Sequence, residues 1–282
     1  MANPEHIDIL KQGAAAWNRW RSEHPGLKPN LAYANLKGIH LIGADLRYAN
    51  LSSADLQETY LQGVNFEEAN LREANLLSAD LIEARLYRAS LMAAQLQDAN
   101  LCGADLRQAD LTEIEAPISL FREADLSDAN LMSSQLQDSD LRSALLCRTQ
   151  LRQADLERAI LTEAQLNGAS CDRINLSRAI LNGASMIGAN LQQANLKGAR
   201  LCQANLLEAN LTDADCTEAD FSWAILSKAI LQNTQLQRAS LRGANCLRSH
   251  LSQALLNGTD LNLAQLKYTD LTDGLELGAY LS

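Results

Sequence analysis

A five-residue period constrains this chain more than any other feature. Between Leu31 and Leu271 there are 49 positions whose number ends in 1 or 6, and 41 of them are Leu. The others are Phe66, Ala116, Phe121, Cys171, Met186, Cys216, Phe221 and Cys246. Two residues before these positions, from Ala34 to Thr269, 35 of 48 residues are Ala, and the exceptions are Ser, Thr, Val or Ile. The residue between Ala and Leu is most often Asp or Asn, as in Ala44-Asp45-Leu46 and Ala189-Asn190-Leu191. The register never slips.

No single regular backbone satisfies this period. In an α-helix, five steps of about 100° carry each Leu about 140° round the axis, so no apolar stripe forms. In a flat strand an odd period sends successive Leu to opposite faces. A chain that turns a corner once per repeat satisfies it: Leu points to a common axis from every side, Ala shares the narrow interior, and three positions face outward. Each coil then packs on the one below, as in a solenoid. The composition fits such an interior, with 47% hydrophobic residues but only 4% aromatic. Columns of Leu, each contributing about 1.5–3 kcal/mol when buried, fill it without large rings.

The motif Ala-Asp/Asn-Leu followed by two variable residues resembles the pentapeptide-repeat family over residues 31 to about 273. The resemblance implies an all-β fold, a right-handed quadrilateral β-helix with four repeats per 20-residue coil. Forty-nine repeats make about 12 coils, a rod roughly 55–60 Å long at about 4.8 Å per coil. The expected organisation is an N-terminal α-helical cap over 1–29, the repeat β-helix over 30–273, and a C-terminal turn or cap over 274–282.

Residues 3–24 read as one helix, started by the N-cap Asn3 with Pro4 behind it and stopped at His24-Pro25-Gly26. Ile7, Leu10, Trp17 and Trp20 recur at helical spacing and are its expected packing residues. Its expected role is to hide the open edge of the first coil. Pro117, in the weakest repeats (113–120), lacks a ladder donor, so a bulge, bend or small loop is expected there.

The chemistry-bearing residues do not assemble into a motif. Asp45, Asp105, Asp155 and Asp215 precede a Leu, where a short carboxylate bonds nearby backbone N–H groups at a turn, so they are not read as catalytic acids. His6, His24, His40 and His250 are scattered. Cys171, Cys216 and Cys246 replace Leu and read as core, whereas Cys102, Cys147 and Cys202 read as outward-facing, with Cys102 and Cys202 on one face but five coils apart, too far for a disulfide. No zinc spacing and no phosphate-binding glycine loop occurs. No enzyme, cofactor or metal is therefore expected. No apolar run is long enough to span a membrane and no secretory signal is visible, so a cytoplasmic location without membrane association is expected.

The net charge of −10 argues against direct binding of nucleic acid. Residues 45–140 carry 18 acids against six bases, a surplus spread over all four sides. Large apolar residues at outward positions after residue 121 favour two adjacent sides. The candidate protein-interaction surface comprises Leu145, Ile160, Ile180, Ile187, Leu207, Trp223, Ile225 and Leu247. The function that follows is a non-enzymatic protein-interaction rod, a cytoplasmic regulator or scaffold. Two alternatives come from the resemblance: an acidic DNA mimic that modulates DNA gyrase or another topoisomerase, and a regulator of bacterial differentiation or stress response. The resemblance also suggests a homodimer through the C-terminal end.

Overall fold

The computed structural model describes residues 2–273. The chain divides into two compact units, Met1–Asp140 and Leu141–Ser282. The expected C-terminal turn over 274–282 lies outside the described residues.

Both units are built from the same coil. In unit 1, parallel bridges join each residue before a Leu to its equivalent one coil on, from Asn30 with Asn50 to Leu120 with Asp140. Unit 2 repeats this from Leu145 with Gln165 to His250 with Asp270. One coil is therefore four repeats, as expected. Within each unit, interior Leu N–H groups donate to the carbonyl of a bridge residue in the next coil (Leu31 to Asn50, 2.7 Å). Beyond the first coil, bridge residues in turn donate to the carbonyl of an Ala position in the coil before (Asp55 to Ala34, 2.9 Å).

Between bridges the backbone turns a corner, closed by a bond from the Ala N–H to the preceding Leu carbonyl (Ala44 to Leu41, 3.0 Å). The residue before each Ala is left-handed, from Tyr33 (φ 62°) through to Asp273 (φ 57°). The bridge side chain completes the corner by accepting the N–H two residues on, as Asp45, Asp105, Asp155 and Asp215 all do at 2.9–3.2 Å. Their structural reading holds. Inside, the Leu and Ala positions are buried in both units. Several hydroxyls at Ala positions are satisfied by carbonyls: Thr59 donates to the Leu56 carbonyl, Ser139 to the Leu136 carbonyl, and Thr234 to the Leu211 carbonyl in the coil before, whereas the buried Ser134 hydroxyl has no partner.

Pro117 breaks nothing, contrary to expectation. Its ladder runs on at normal length, with Ala116 N–H to the Gln135 carbonyl at 2.8 Å and Ile118 N–H to the Gln137 carbonyl at 2.9 Å. The reason lies in its place in the repeat. Just after the Leu position the N–H bonds a neighbouring side chain rather than the next coil (Lys37 N–H to Asn35 Oδ1, 3.2 Å). Proline there loses no ladder bond, and its φ suits the second residue of a turn. The strain sits instead on Ile118, a β-branched residue at φ 62° and 56% exposed. A left-handed residue costs about 1–2 kcal/mol and Asn tolerates that region better. Ile118→Asn is expected to raise stability by about 1 kcal/mol, read as a higher denaturant midpoint; a lower midpoint rejects this account.

The N-terminal segment is two helices rather than one: α1, Pro4–Leu10, and α2, Ala14–Glu23. Asn3 caps α1 as expected, its side chain accepting the Glu5 N–H at 2.9 Å. The break falls at Gly13, whose φ of 97° no helix accommodates. The buried residues are His6, Leu10, Trp17 and Arg21, whereas Ile7 and Trp20 are half-buried.

Side chains of these helices bond backbone groups of the first coil. By the ladder rule, the Asp45 and Arg47 carbonyls would accept from N–H groups of a coil preceding the first. Trp17 Nε1 donates to the Asp45 carbonyl instead at 2.7 Å, and Arg21 Nη2 to the Arg47 carbonyl at 3.1 Å. The Asp45 N–H donates to Asn18 Oδ1 at 2.7 Å, in place of a carbonyl of that preceding coil. Asn30 is treated alike: its N–H donates to His6 Nδ1 at 3.0 Å, and its carbonyl accepts the Asn3 N–H at 2.9 Å.

Candidate protein-interaction surface

All eight candidate surface residues lie in unit 2, on bridge strands or corners whose orientation the coil register fixes. Ile160 and Ile180 are bridge partners in one column and half-buried. Ile187 and Leu207 occupy one corner column in successive coils, also half-buried. Leu247 shares that column two coils beyond Leu207, with Ser227 between them. Leu145 and Ile225 share a bridge column, but Gln165, Ser185 and Asn205 separate them. The structure thus forms two stacked aliphatic pairs and leaves Leu145 and Leu247 apart from them.

Trp223 and Ile225 stand out, at 56% and 40% exposed. Trp223 is held flat. A Cβ built on Gly243, one coil on in the same corner column, would lie 2.5–2.7 Å from three consecutive Trp223 ring atoms (Cε3, Cζ3 and Cδ2). Near-equal distances to three neighbouring atoms mean that the ring lies face-on over the Gly243 backbone. Only glycine permits this, because any Cβ would enter the ring. Leu263, 61% exposed, follows in the same column. The exposed apolar area is therefore centred on coils 221–265, further along the unit than the Ile187–Leu207 pair. Unit 1 carries exposed apolar residues that a count begun after residue 121 misses, among them Ile42 and Tyr60, the latter stacked on His40 at 4.2 Å. The unbroken register through Pro117 was the signal that would have found them.

The charged groups are engaged with one another. The Arg47 guanidinium bonds both Asp45 oxygens at 2.8 Å and holds that carboxyl below its usual range; Arg107 does the same for Asp105 at 2.7–2.8 Å. Asp45 and Arg47 line an open depression of about 560 Å³ with Arg85 and Glu83. A second, of about 490 Å³, is bordered by Glu113, Glu115 and Gln135. No group of His, Cys, Asp and Glu among the described residues is arranged to hold a metal ion. No described helix is long and apolar enough to cross a membrane.

The cysteines divide as expected in the core, but Cys102, Cys147 and Cys202 are half-buried rather than fully outward. Burial pushes the Cys171 and Cys246 thiols up to about 12 and raises Cys216 further. Burial, with the Asp220 carboxylate accepting its S–H at 3.0 Å, pushes Cys202 up to about 11. Only a thiolate attacks an alkylating reagent. Iodoacetamide at pH 8 is expected to label Cys102 and Cys147 first, and Cys171, Cys216 and Cys246 only after denaturation. Peptide mass mapping reads the order, and labelling of a buried cysteine in the native protein contradicts it.

The family model for pentapeptide repeats matches eight copies between residues 30 and 274. Among solved structures the chain is similar to HetL, a pentapeptide-repeat protein involved in heterocyst differentiation regulation in the cyanobacterium Nostoc. Identity is 32% over 90% of this chain and 93% of that one, with a TM-score of 0.27. It is similar to a pentapeptide-repeat protein of the Arabidopsis thaliana thylakoid lumen, with 30% identity over 36% of this chain and 70% of that one and a TM-score of 0.35. QnrB1, a plasmid-mediated fluoroquinolone resistance protein, matches at 18% identity over 68% of this chain and 93% of its own, with a TM-score of 0.30. No curated protein matches the chain. Eight matched copies spanning almost all of the repeat region, on coils of four repeats, make this chain a member of the pentapeptide-repeat family.

Proposed function

We propose that the chain is a non-enzymatic interaction module, a regulator or scaffold that docks a cytoplasmic protein partner on unit 2. The observation that carries this reading is the Trp223 ring, held face-on over Gly243 yet 56% exposed, with Ile225 and Leu263 exposed on the same unit. Buried Trp anchors dominate binding energy at protein interfaces. Partners captured by the wild-type chain, compared with those captured by Trp223→Asp/Ile225→Asp and by Ile187→Asp/Leu207→Asp, test the reading. Loss of a specific partner in the first variant supports it; an identical partner set in all three overturns it.

A regulatory role of the differentiation or stress type is an alternative reading that rests on membership of the pentapeptide-repeat family. The alternative of a DNA mimic acting on DNA gyrase rests on the acidic residues of unit 1, and a gyrase supercoiling assay separates the two. We further propose that α1 and α2 cap the first coil, because their side chains fill its ladder bonds. Pairing of two copies through the C-terminal end is a separate proposal, which monomeric sedimentation overturns.

A further inference from the structure

The bond between His6 and Asn30 differs in kind from the others that join the helices to the first coil. Trp17, Arg21 and Asn18 keep their donors and acceptors at every pH near neutrality. His6 does not: it accepts the Asn30 N–H through Nδ1 at 3.0 Å, and only an unprotonated Nδ1 has the lone pair to do so. Protonation removes that lone pair. His6 is 6% exposed, so protonation places a charge in a site closed to water and turns an N–H against an N–H.

The surroundings offer that charge little. Its neighbours are the Trp20 ring, centroid to centroid 5.0 Å away, and the Asn3 amide nitrogen at 3.4 Å from Nε2. The Asn3 oxygen is already occupied by the Glu5 N–H. The charged and titratable groups on the adjoining elements are Glu5 and Asp8 on α1, Arg19, Arg21, Glu23 and His24 on α2, Lys28 before the coil, and Lys37, Asp45 and Arg47 on it. Buried Arg21, bonded to the Leu27 and Arg47 carbonyls and 3.9 Å from the Asp45 carboxylate, is a like charge with its own counter-ion. The tilted Trp20 ring offers a cation some compensation. Protonation loses the Asn30 bond and sets a donor against a donor in a site closed to water, which favours release.

We propose that His6 is a proton-sensitive latch: its protonation releases α1 and α2 from the first coil and exposes that coil's backbone edge. The edge set free carries the Asp45 and Arg47 carbonyls and the Asp45 N–H.

The test follows tryptophan emission and amide protection factors of the full chain between pH 8 and 5. Wild type is expected to show a red shift from Trp17 and Trp20, with protection lost at Asn30 and Asp45, and to recover on returning to pH 8. His6→Asn retains an acceptor near the Nδ1 position and cannot titrate in this range, so it is expected to stay docked at pH 5. His24, stacked on Trp20 at 4.9 Å, is the other histidine beside the tryptophans, and His24→Asn is expected to keep the transition. No transition in wild type, an unchanged one in His6→Asn, or its abolition in His24→Asn overturns the proposal. Should His6→Asn be undocked already at pH 8, the His6 ring is titrated by NMR in wild type. Its midpoint must coincide with the loss of protection, and separate midpoints overturn the latch.

Discussion

Replacing Trp17 by alanine is expected to cost about 3–5 kcal/mol, the range for deleting a large buried ring. Trp17 is fully buried and does two things at once. Its ring fills the space between α2 and the first coil, and its Nε1 supplies the donor that a preceding coil would have given to the Asp45 carbonyl. Alanine leaves a cavity and a carbonyl without that donor. Coils in a solenoid touch only their neighbours, so stability is close to a sum of local terms. The loss should therefore appear as opening of the first coil, with amide protection falling at Asp45 and Leu46 and little change in unit 2. Trp17→Phe separates the two contributions, because it keeps most of the ring and removes the donor; about 1–3 kcal/mol is expected for it. Equal effects of the two variants would show that the bond, and not the packing, holds the helices. Unchanged protection at Asp45 in Trp17→Ala would remove the case for a cap.

The coil was legible because a period of five admits few backbones. Once Leu must always point inward, the corners, the Asp and Asn at the bridges and the small residues at Ala positions follow from space and hydrogen bonding. What the sequence hid depended on hydrogen-bond accounting within the repeat. Pro117 looked disruptive because proline lacks a donor, yet its place in the repeat asks for none from the next coil. The helix break was signalled by Gly13, but the apolar spacing of Leu10, Ala14 and Trp17 ran across it. His6 read as one scattered histidine, since nothing in its neighbourhood announces that the distant Asn30 N–H needs an acceptor. The candidate surface was legible only as a side. Ile187 and Leu207 look as apolar as Trp223 in the sequence, but coil packing half-buries the first two, and the glycine one coil on leaves the third a flat, open ring.

The interior sets the second large effect. Phe221 occupies a Leu position in unit 2 and is fully buried. Leu201 and Leu241 hold the same place in the coils before and after it, and both are fully buried. Phe221→Ala is expected to destabilise unit 2 by about 3–5 kcal/mol, since the stack cannot collapse round the cavity without breaking ladder bonds on both sides. Those bonds are short and fixed, with Phe221 N–H to the Ser240 carbonyl and Asp220 N–H to the Ala199 carbonyl at 2.8 and 2.9 Å. Phe221→Leu restores the residue found at most equivalent positions and is expected to cost less than about 1.5 kcal/mol. Chemical denaturation of both variants measures the gap. If the alanine variant matched the leucine variant, the interior at this coil would be collapsible, and the tight Leu column would not be what holds the coils in register. A wide gap, with loss of amide protection centred on residues 201–241, identifies the column as the source of stability. It also accounts for how so few aromatic residues suffice: a coil held open by its own backbone ladder needs a side chain of one size, and leucine supplies it.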